Sequence, residues 1–461
     1  HGQQSMSEPD LKKRVWGWFF FDWASQPYHT VLLTFVFGPY FVSVAQTAFL
    51  AAGASPDVAK ADAQGMWSLG LLVTGLLIGF GAPLMGALAD TAGRRMPWIL
   101  GFSAMYVVGA AGLWLVLPDG SNLWFALFAF GLGFVGAEFA QIFTNAQLPT
   151  LGDRREVGRI SGSGFAFGYL GGLLSLVLAL VFLVEQPNGQ TIAGLSPVLG
   201  LDAGAREGTR FAGPFAALWF MVFMVPYFLW VREVAPVRRR PSATAAIASL
   251  KRSIAGLAHR RSLAAYLGGS MLYRDALNGL YGFGGTYAAL VLGWEIAQIG
   301  VFGIISVIAA AVFSLVGGRL DRRFGPKPVI VGCILGLILV CGLILSMTPT
   351  SVLSVPIAEG SALPDAVFII CGVFIGGLGG ILQAASRSLM VRHTDPETPT
   401  ESFGLYGLSG RATAFLAPML IGAVTVATDN VRLGIAPLII LFLLGLVLLI
   451  WVKPDGDRAA P

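Results

Sequence analysis

Six charged side chains interrupt long apolar stretches of this sequence. They are Asp22, Glu138, Arg274, Asp275, Arg387 and Arg411. A charge at the centre of a bilayer costs at least about 2.5–3.5 kcal/mol, so such residues pair with one another or face a water-filled cavity. From the helical rise of ~1.5 Å per residue, Glu138 lies roughly 22 Å from each end of its stretch. These residues are therefore candidates for ion pairing, proton transfer and recognition of a charged ligand.

Polar neighbours extend these positions into stripes along helix faces. Residues three, four or seven positions apart share a face, and the sets are Asp22, Gln26 and His29; Glu138, Gln141 and Asn145; Arg274, Asp275 and Asn278; Gln383 and Arg387. Pro27 is expected to kink the first of these helices. A buried carboxyl without a firm partner has a raised pKa and can exchange a proton, a role that we assign to Glu138 and Asp22. His29 is a candidate proton relay or a simple interhelix contact.

A purely structural explanation of the same charges stays open. Three acids and three bases balance, so all six could form ion pairs or gate latches. Arg387 lies roughly 7 Å from Arg392 along a helix and could extend to the cytoplasmic surface. Trp23 belongs to an aromatic cluster that anchors at the membrane interface or walls a cavity.

The elements that must position these residues are membrane-spanning helices. Hydrophobic residues make up 55% of the 461 residues and charged residues only 12%, whereas soluble domains carry about 25% charged residues. Twelve stretches reach the ~20 apolar residues that span a bilayer. They are 16–46, 66–89, 96–117, 122–148, 158–184, 211–231, 263–292, 297–318, 328–347, 365–391, 402–427 and 431–452. The sequence predicts an all-α membrane protein with two six-helix halves.

Lys and Arg residues predict the orientation. One side of the membrane holds most of them, including Lys12, Lys13, Arg14, Arg154, Arg155, Arg159, Arg238, Arg323, Arg392 and Arg458, while the opposite loops hold Lys60, Arg206, Arg210 and Arg432. Both termini are therefore expected in the cytoplasm. The expected domains are an N-terminal tail (1–14), a first half (15–231), a basic linker (232–262), a second half (263–452) and a C-terminal tail (453–461). Pro236 and Pro241 interrupt the linker, within which 242–260 is a candidate surface helix.

A loop signature occurs twice, about half a chain length apart. Its first copy, Gly86–Arg95, contains Asp90, Arg94 and Arg95; its second, Gly317–Lys327, contains Asp321 and Arg322 with a spacing shifted by one residue. We assign these five residues and Arg387 to gating. Because only the first copy keeps the full spacing, we expect Asp90→Ala to impair activity more than Asp321→Ala.

The first loop copy resembles the signature loop of the major facilitator superfamily. Further segments are similar to fungal autophagy-related vacuolar amino-acid effluxers and their bacterial homologues. These are Phe21–Tyr28, Thr34–Phe41, Phe143–Pro149, Gly162–Tyr169, Tyr273–Asp275 and Gln383–Leu389. Ala276 and Asn278 depart from the family pattern, which expects Gly and Gln there. The resemblance implies that spans 1, 4, 7 and 10, which carry the polar stripes, line a central cavity.

The residues and the resemblance together predict a secondary active transporter that works by alternating access. The favoured substrate is an amino-acid-like zwitterion, and we expect transport to be coupled to protons and to run in the direction of export. The carboxylate of this substrate is expected to bind Arg274 or Arg411, and its amine is expected to bind Asp275, Glu138 or Asp22. The other residues of the expected site are Gln26, Gln141, Asn145, Asn278 and Gln383. The alternatives are an exporter of an amphiphile, lipid-like molecule or drug, and a non-transporting receptor or scaffold.

Several other classes of protein are disfavoured. The sequence has no nucleophile–base arrangement, phosphate-binding loop or metal-ligand spacing, so we expect no enzyme activity, cofactor or metal. The net charge of +5 reflects membrane topology, so nucleic acid is not an expected partner. The three cysteines lie in apolar spans and are expected to be small core residues. We expect a monomer in the plasma membrane, the inner membrane of a bacterium, with protons, a small molecule and the lipid bilayer as partners.

Overall fold

The structure, a computed structural model, describes residues 7–233 and 239–457, and its regular elements there are almost all helical. The α-helices are α1 (Glu8–Pro27), α2 (Phe37–Ala51), α3 (Pro56–Ala92), α4 (Met96–Gly112), α5 (Leu123–Asn145), α6 (Arg154–Phe182), α7 (Glu207–Arg210), α8 (Ala212–Trp230), α9 (Ala243–Gly256), α10 (Arg261–Leu290), α11 (Ile296–Phe324), α12 (Pro326–Leu345), α13 (Leu363–His393), α14 (Pro399–Ala412), α15 (Leu416–Thr428) and α16 (Ala436–Leu448). Strands β1 (Ser351–Val352) and β2 (Val355–Pro356) form an antiparallel hairpin. Pro236, Arg238 and Arg458 lie outside the described residues.

Eleven helical segments in the described ranges are long and apolar enough to cross a membrane. They coincide with eleven of the twelve predicted stretches. The remaining stretch, 263–292, forms the 30-residue helix α10. It is less apolar than the others because it carries Arg274, Asp275 and Asn278. Cys333, Cys341 and Cys371 are free and buried, as the sequence predicts.

The contacts divide the chain into two compact units. Unit 1 consists of His1–Ala82, Ala89–Thr144 and Phe167–Pro241, and unit 2 of Pro83–Leu88, Asn145–Ala166 and Ser242–Pro461. Unit 2 therefore contains two short segments from the first half of the sequence. Contacts between these segments and the second half are internal contacts of unit 2.

In unit 1, α8 packs against both α1 and α4. The helices approach one another closely where small residues meet. A Cβ atom added to Gly109 of α4 would lie 2.3 Å from the backbone nitrogen of Gly133 in α5. The two backbones are therefore in direct contact, a packing that only a residue without a side chain permits.

Pro27 interrupts the first span of unit 1. The sequence predicts a kink there, and the structure shows a change from α-helix to π-helix. α1 ends at Pro27, and the chain continues as a π-helix, Tyr28–Phe35, before α2 begins. At its end the Val36 N–H donates to the carbonyl of Val31, five residues earlier, at 2.8 Å. Pro27 has no N–H to donate, which weakens the regular α-helical ladder at this point. The wider turn places His29 toward α5.

In unit 2, α13 packs against α11 and α12, and α10 packs against α16. The predicted span 402–427 is divided: α14 ends at Ala412 and α15 begins at Leu416. The break precedes Pro418, which has no N–H to donate to a carbonyl in the preceding turn and is tolerated in the first turn of α15. Two helix ends are thereby placed inside an apolar stretch.

The linker contains the helix that the sequence predicts. Ser242 accepts a hydrogen bond from the N–H of Ala245 at 3.2 Å and so caps α9. Pro241 lies immediately before this cap. On its inner side, Ser249 donates to Oε2 of Glu401 in α14 at 2.8 Å, which fixes the linker helix to unit 2.

Candidate functional site

In unit 1, the carboxyl group with the deepest predicted position has a histidine partner. Oε1 of Glu138 lies 3.1 Å from Nε2 of His29, and the two side chains are 17% and 33% exposed. Glu138 belongs to α5, and His29 lies in the first turn of the π-helix. The His29 ring also meets Phe134 edge to face at 5.7 Å. A carboxyl and an imidazole at this distance can share a proton.

Asp22 and Gln26 lie on α1, where α1 meets α6. Asp22 is buried, and a Cβ atom added to Gly168 of α6 would lie 3.0 Å from its Cβ. Nε2 of Gln26 lies 3.5 Å from the hydroxyl of Thr30, a long hydrogen bond. The glycines of α6, which the sequence identifies only as a helix-packing pattern, thus bring a second helix against the polar face of α1.

Trp23 lies in an aromatic stack within unit 1. Its ring is nearly parallel to Phe167, with 4.6 Å between ring centroids, and to Trp219, at 5.7 Å. Trp219 donates its indole N–H to the carbonyl of Trp23 at 3.0 Å. The Trp23 ring is only partly buried, so one aromatic edge of this stack is accessible.

In unit 2, the adjacent charges of α10 point to different neighbours. The guanidinium of Arg274 covers the ring of Tyr406 in α14, and Asp275 is 2% exposed and accepts the N–H of Ala417 in α15 at 3.2 Å. Asn278 is exposed. The structure therefore places Arg274 and Asn278 on an accessible face, and Asp275 inside the unit.

Arg387 is buried in a cluster of polar and aromatic groups from the first half of the sequence. It is 2% exposed. Nε donates to Oγ of Ser161 at 2.9 Å, Nη2 to the carbonyl of Ser161 at 2.9 Å, and Nη1 to Oδ1 of Asn145 at 3.1 Å. The guanidinium also lies over the ring of Phe165 at 4.1 Å. Arg387 does not extend to the surface, and we name Arg387, Ser161, Asn145 and Phe165 the Arg387 latch.

The remaining polar residues of the predicted stripes are partly accessible. Gln141 of α5, Gln383 of α13 and Arg411 in the last turn of α14 are all half-buried. Asn145 ends α5 and belongs to unit 2, whereas Glu138 and Gln141 belong to unit 1. The stripe on α5 thus contributes residues to both units.

The two copies of the loop signature differ in their surroundings. In the first copy, the Glu233 carboxylate accepts the N–H groups of Arg95, at 2.8 and 3.0 Å, and of Met96 at 3.2 Å. An anion at the first turn of α4 is favoured by the helix dipole. Asp90 and Arg94 are half-buried. This copy is organised by a linker carboxylate that the sequence analysis did not identify.

In the second copy, Asp321 is 2% exposed and packs against Gly158 of α6. Within the part of the chain that the structure describes, neither oxygen of its carboxylate has a hydrogen-bond partner. Arg322 is exposed and binds Oε1 of Glu156 at 2.9 Å. The aspartate of the second copy is therefore more buried than that of the first, although the spacing of the second copy departs from the signature.

Residues 452–457, which we name the C-terminal strap, cross the ends of several helices. Arg260 binds Asp457 at 2.5 Å, and Arg392 binds Asp455 at 3.1 Å. Arg154 donates to the carbonyl of Asp455 at 2.8 Å. Burial opposes ionisation of Asp457, but the hydrogen bonds and positive charge of Arg260 prevail and hold the pKa of this carboxyl below its ordinary value. The strap ties α6, α10 and α13 together.

Comparison with known proteins identifies the family. Residues 10–460 match the family described as vacuole effluxer Atg22 like. The chain belongs to this family. A Bacillus subtilis relative, the uncharacterized MFS-type transporter YxiO, is 22% identical over 445 residues, which cover 95% of this chain and 94% of that protein. Autophagy-related protein 22-1 of Aspergillus niger is 24% identical over 319 residues, 66% of this chain and 48% of the fungal protein.

Solved structures confirm the fold. The human organic anion transporter MFSD10 aligns with a TM-score of 0.69 and 17% identity, covering 95% of this chain and 99% of that one. The proton:xylose symporter XylE aligns with a TM-score of 0.72 and 11% identity, covering 98% and 99%. The family member described here is therefore a multi-pass membrane protein of the major facilitator superfamily, a transporter and not an enzyme. Its fold implies a small-molecule substrate and a lipid bilayer around it.

Proposed function

We propose that the protein is a secondary active transporter that exports a small amino-acid-like zwitterion across the plasma membrane by alternating access. In this proposal α10 is the twelfth span, both termini are cytoplasmic and the transporter acts as a monomer. The observation that carries the proposal is the partial exposure of ionisable groups within spans. Glu138 and His29 in unit 1 and Arg274 in unit 2 offer an anion, a proton carrier and a cation to a solute.

The zwitterion is favoured because charges of both signs remain accessible. Arg274 and the half-buried Arg411 can each bind a carboxylate. Glu138 is the accessible acid for an amine, whereas Asp275 is buried and already accepts a backbone N–H. The amine is therefore assigned to Glu138, and Asp275 to the support of α15.

Proton coupling is assigned to Glu138, with His29 as its proton-sharing partner and Asp22 as a second acid. The test is uptake into proteoliposomes that carry a pH gradient. Glu138→Gln is expected to abolish uptake driven by the gradient, while exchange of the solute across the membrane continues with a higher KM, because the amine loses its carboxylate partner. Glu359→Gln, which neutralises an exposed acid outside the spans, is the matched control. Gradient-driven uptake that survives Glu138→Gln would contradict the assignment.

Gating is assigned to the Arg387 latch together with the two loop copies. The latch holds α6 and the end of α5 against α13 within unit 2. Its release loosens the contact between segment 145–166 and the second half of the sequence, as a first step in opening a path from the cytoplasm. Arg387 is the central residue of this arrangement, because four groups from the first half surround its guanidinium.

The export of an amphiphile is a second candidate function, favoured by the accessible aromatic stack of Trp23, Phe167 and Trp219. Thermal stabilisation of the purified protein by a panel of amino acids and amphiphiles, at two pH values, separates the two substrates. A ligand present at 100 times its Kd stabilises by about 2.7 kcal/mol, which is readily measured. Solute flux in proteoliposomes excludes a receptor or scaffold without transport activity.

A further inference from the structure

The guanidinium of Arg274 is held on one side and open on the other. Cζ lies 3.7 Å from the centroid of the Tyr406 ring, and Nη2 donates to the Tyr406 carbonyl at 2.9 Å. Nε donates to the carbonyl of Ser270 at 3.2 Å. Nη1 makes no hydrogen bond with any part of the protein that the structure describes. One nitrogen with two N–H donors is therefore left for another acceptor.

Tyr406 is itself fixed by a column of stacked rings. The Tyr406 ring is parallel to Tyr266 within 7°, at 6.1 Å, and Tyr266 is stacked on His393 at 5.3 Å. Tyr266 also donates its hydroxyl to the carbonyl of Ser386. Because neither ring of the pair can rotate without leaving the column, Tyr406 presents a constant surface to Arg274.

The break between α14 and α15 explains why Arg274 and Asp275 do not neutralise each other. Arg274 binds the carbonyl of Tyr406 in the middle of α14. Asp275 accepts an N–H in the first turn of α15, where the dipole favours an anion. The carboxylate of Asp275 therefore already has a partner inside the protein. Within the described residues Arg274 contacts carbonyl, hydroxyl and aromatic groups and forms no ion pair, so its charge remains available to an anion.

We propose that Arg274 binds the carboxylate of the transported solute through Nη1, and that Tyr406 is its positioning residue. This inference rests on the proposed function, which left Arg274 and Arg411 as equal candidates. The backbone of α14 fixes the guanidinium at Gly410, where a Cβ atom would lie 2.7 Å from Nη1 and 3.0 Å from Cζ. Glycine at this position therefore lets the guanidinium pack closely against α14.

The test compares free amino acids with the matching carboxamides, which keep the amine and side chain but lose the negative charge. Both are measured as competitors of transport and as thermal stabilisers of the full-length protein. In the wild type, the best amino acid is expected to bind about 10- to 100-fold more tightly than its amide, as a charged hydrogen bond predicts. Arg274→Gln is expected to reduce this ratio to about one, and Arg411→Gln to leave it unchanged.

Two substitutions test the positioning role. Tyr406→Phe keeps the ring and the backbone carbonyl and is expected to preserve the carboxylate-to-amide ratio. Tyr406→Leu removes the ring, and we expect the ratio to fall about fivefold with a higher KM and a kcat near the wild-type value. Lys60→Gln is the charge control, because Lys60 is exposed and remote in sequence.

The outcomes separate the two levels of the proposal. A ratio that survives Arg274→Gln, or that is lost in Arg411→Gln alone, would overturn the role of Arg274 and leave amino-acid transport standing. Failure of every amino acid and amide to compete in the wild type would overturn the substrate class and this inference with it. If Arg274→Gln does not fold, Arg274→Lys and Tyr406→Leu decide, because Lys keeps the charge without the guanidinium fork.

Discussion

Replacement of Arg387 by glutamine is expected to open the cytoplasmic side of the protein. The latch consists of three hydrogen bonds from one buried guanidinium and its contact with the Phe165 ring. Glutamine is shorter and neutral, and it can replace at most one of the three donors. The substitution therefore removes the main polar link between α13 and segment 145–166 within unit 2.

The size of the effect follows from these contacts. A hydrogen bond to a charged group contributes about 1.5–3 kcal/mol, so the loss of two amounts to roughly 3–6 kcal/mol at most. Removal of the buried charge also removes its desolvation cost, which offsets part of that loss. A net change of about 2–3 kcal/mol remains, and it corresponds to a roughly 30- to 150-fold shift of the equilibrium toward the open latch.

The shift can be measured as the reactivity of an engineered thiol. Ala385 lies two residues before Arg387 and is 2% exposed, and the native cysteines are buried. In inside-out vesicles, a membrane-impermeant maleimide is expected to label Ala385→Cys roughly 30–150 times faster in the Arg387→Gln background. Cys at the exposed position 255 of α9 should react equally in both backgrounds. An unchanged rate at position 385, in protein that remains folded, would refute the latch.

Three further predictions concern stability and gating. Gly109→Ala is expected to lower the Tm by several degrees, because its methyl group would meet the backbone of α5. Gly101→Ala is the control and should leave the Tm unchanged, because open space surrounds Gly101. Thermal unfolding of both variants in detergent tests this prediction. The sequence predicts that Asp90→Ala impairs transport more than Asp321→Ala, but the burial of Asp321 favours the reverse order, and solute flux of the two variants decides. The pKa of Asp457 is lowered in the folded protein, so its stabilising effect is present above its unfolded pKa of about 4 and is lost as the pH falls through the folded value. The Tm difference between wild type and Asp457→Asn should therefore be constant near neutral pH and disappear in strong acid.

The helices were predictable because their signal is local. Long apolar stretches, basic loops and the family motifs together indicate the superfamily fold and the positions of the spans. The break between α14 and α15 was not predicted, since the stretch 402–427 is mostly apolar and Arg411 is its one charged residue. Pro418 is the one local signal of this break, but proline is common within membrane helices and does not by itself indicate where a helix is divided.

The sequence was sufficient to predict which residues belong to the candidate site. It was not sufficient to predict which of these side chains contact one another. Spacing on one helix identifies Glu138 and His29 separately, but only the π-helix after Pro27 brings His29 within 3.1 Å of the carboxyl. The partners of Arg387 and Arg95 lie 226 and 138 positions away in sequence. No periodic pattern connects positions that far apart, because their contact depends on how whole helices pack.

The C-terminal strap also implies an order of events during synthesis. Arg154 binds the carbonyl of Asp455, which follows it by 301 positions. A ribosome that adds about 5–20 residues per second needs roughly 15–60 s for that length. During this interval the first turn of α6 has at first its local partners, such as the Glu156–Arg159 pair, and later Arg322, which binds Glu156. A newly inserted molecule therefore lacks the contacts of the C-terminal strap until residues 452–457 have been synthesised.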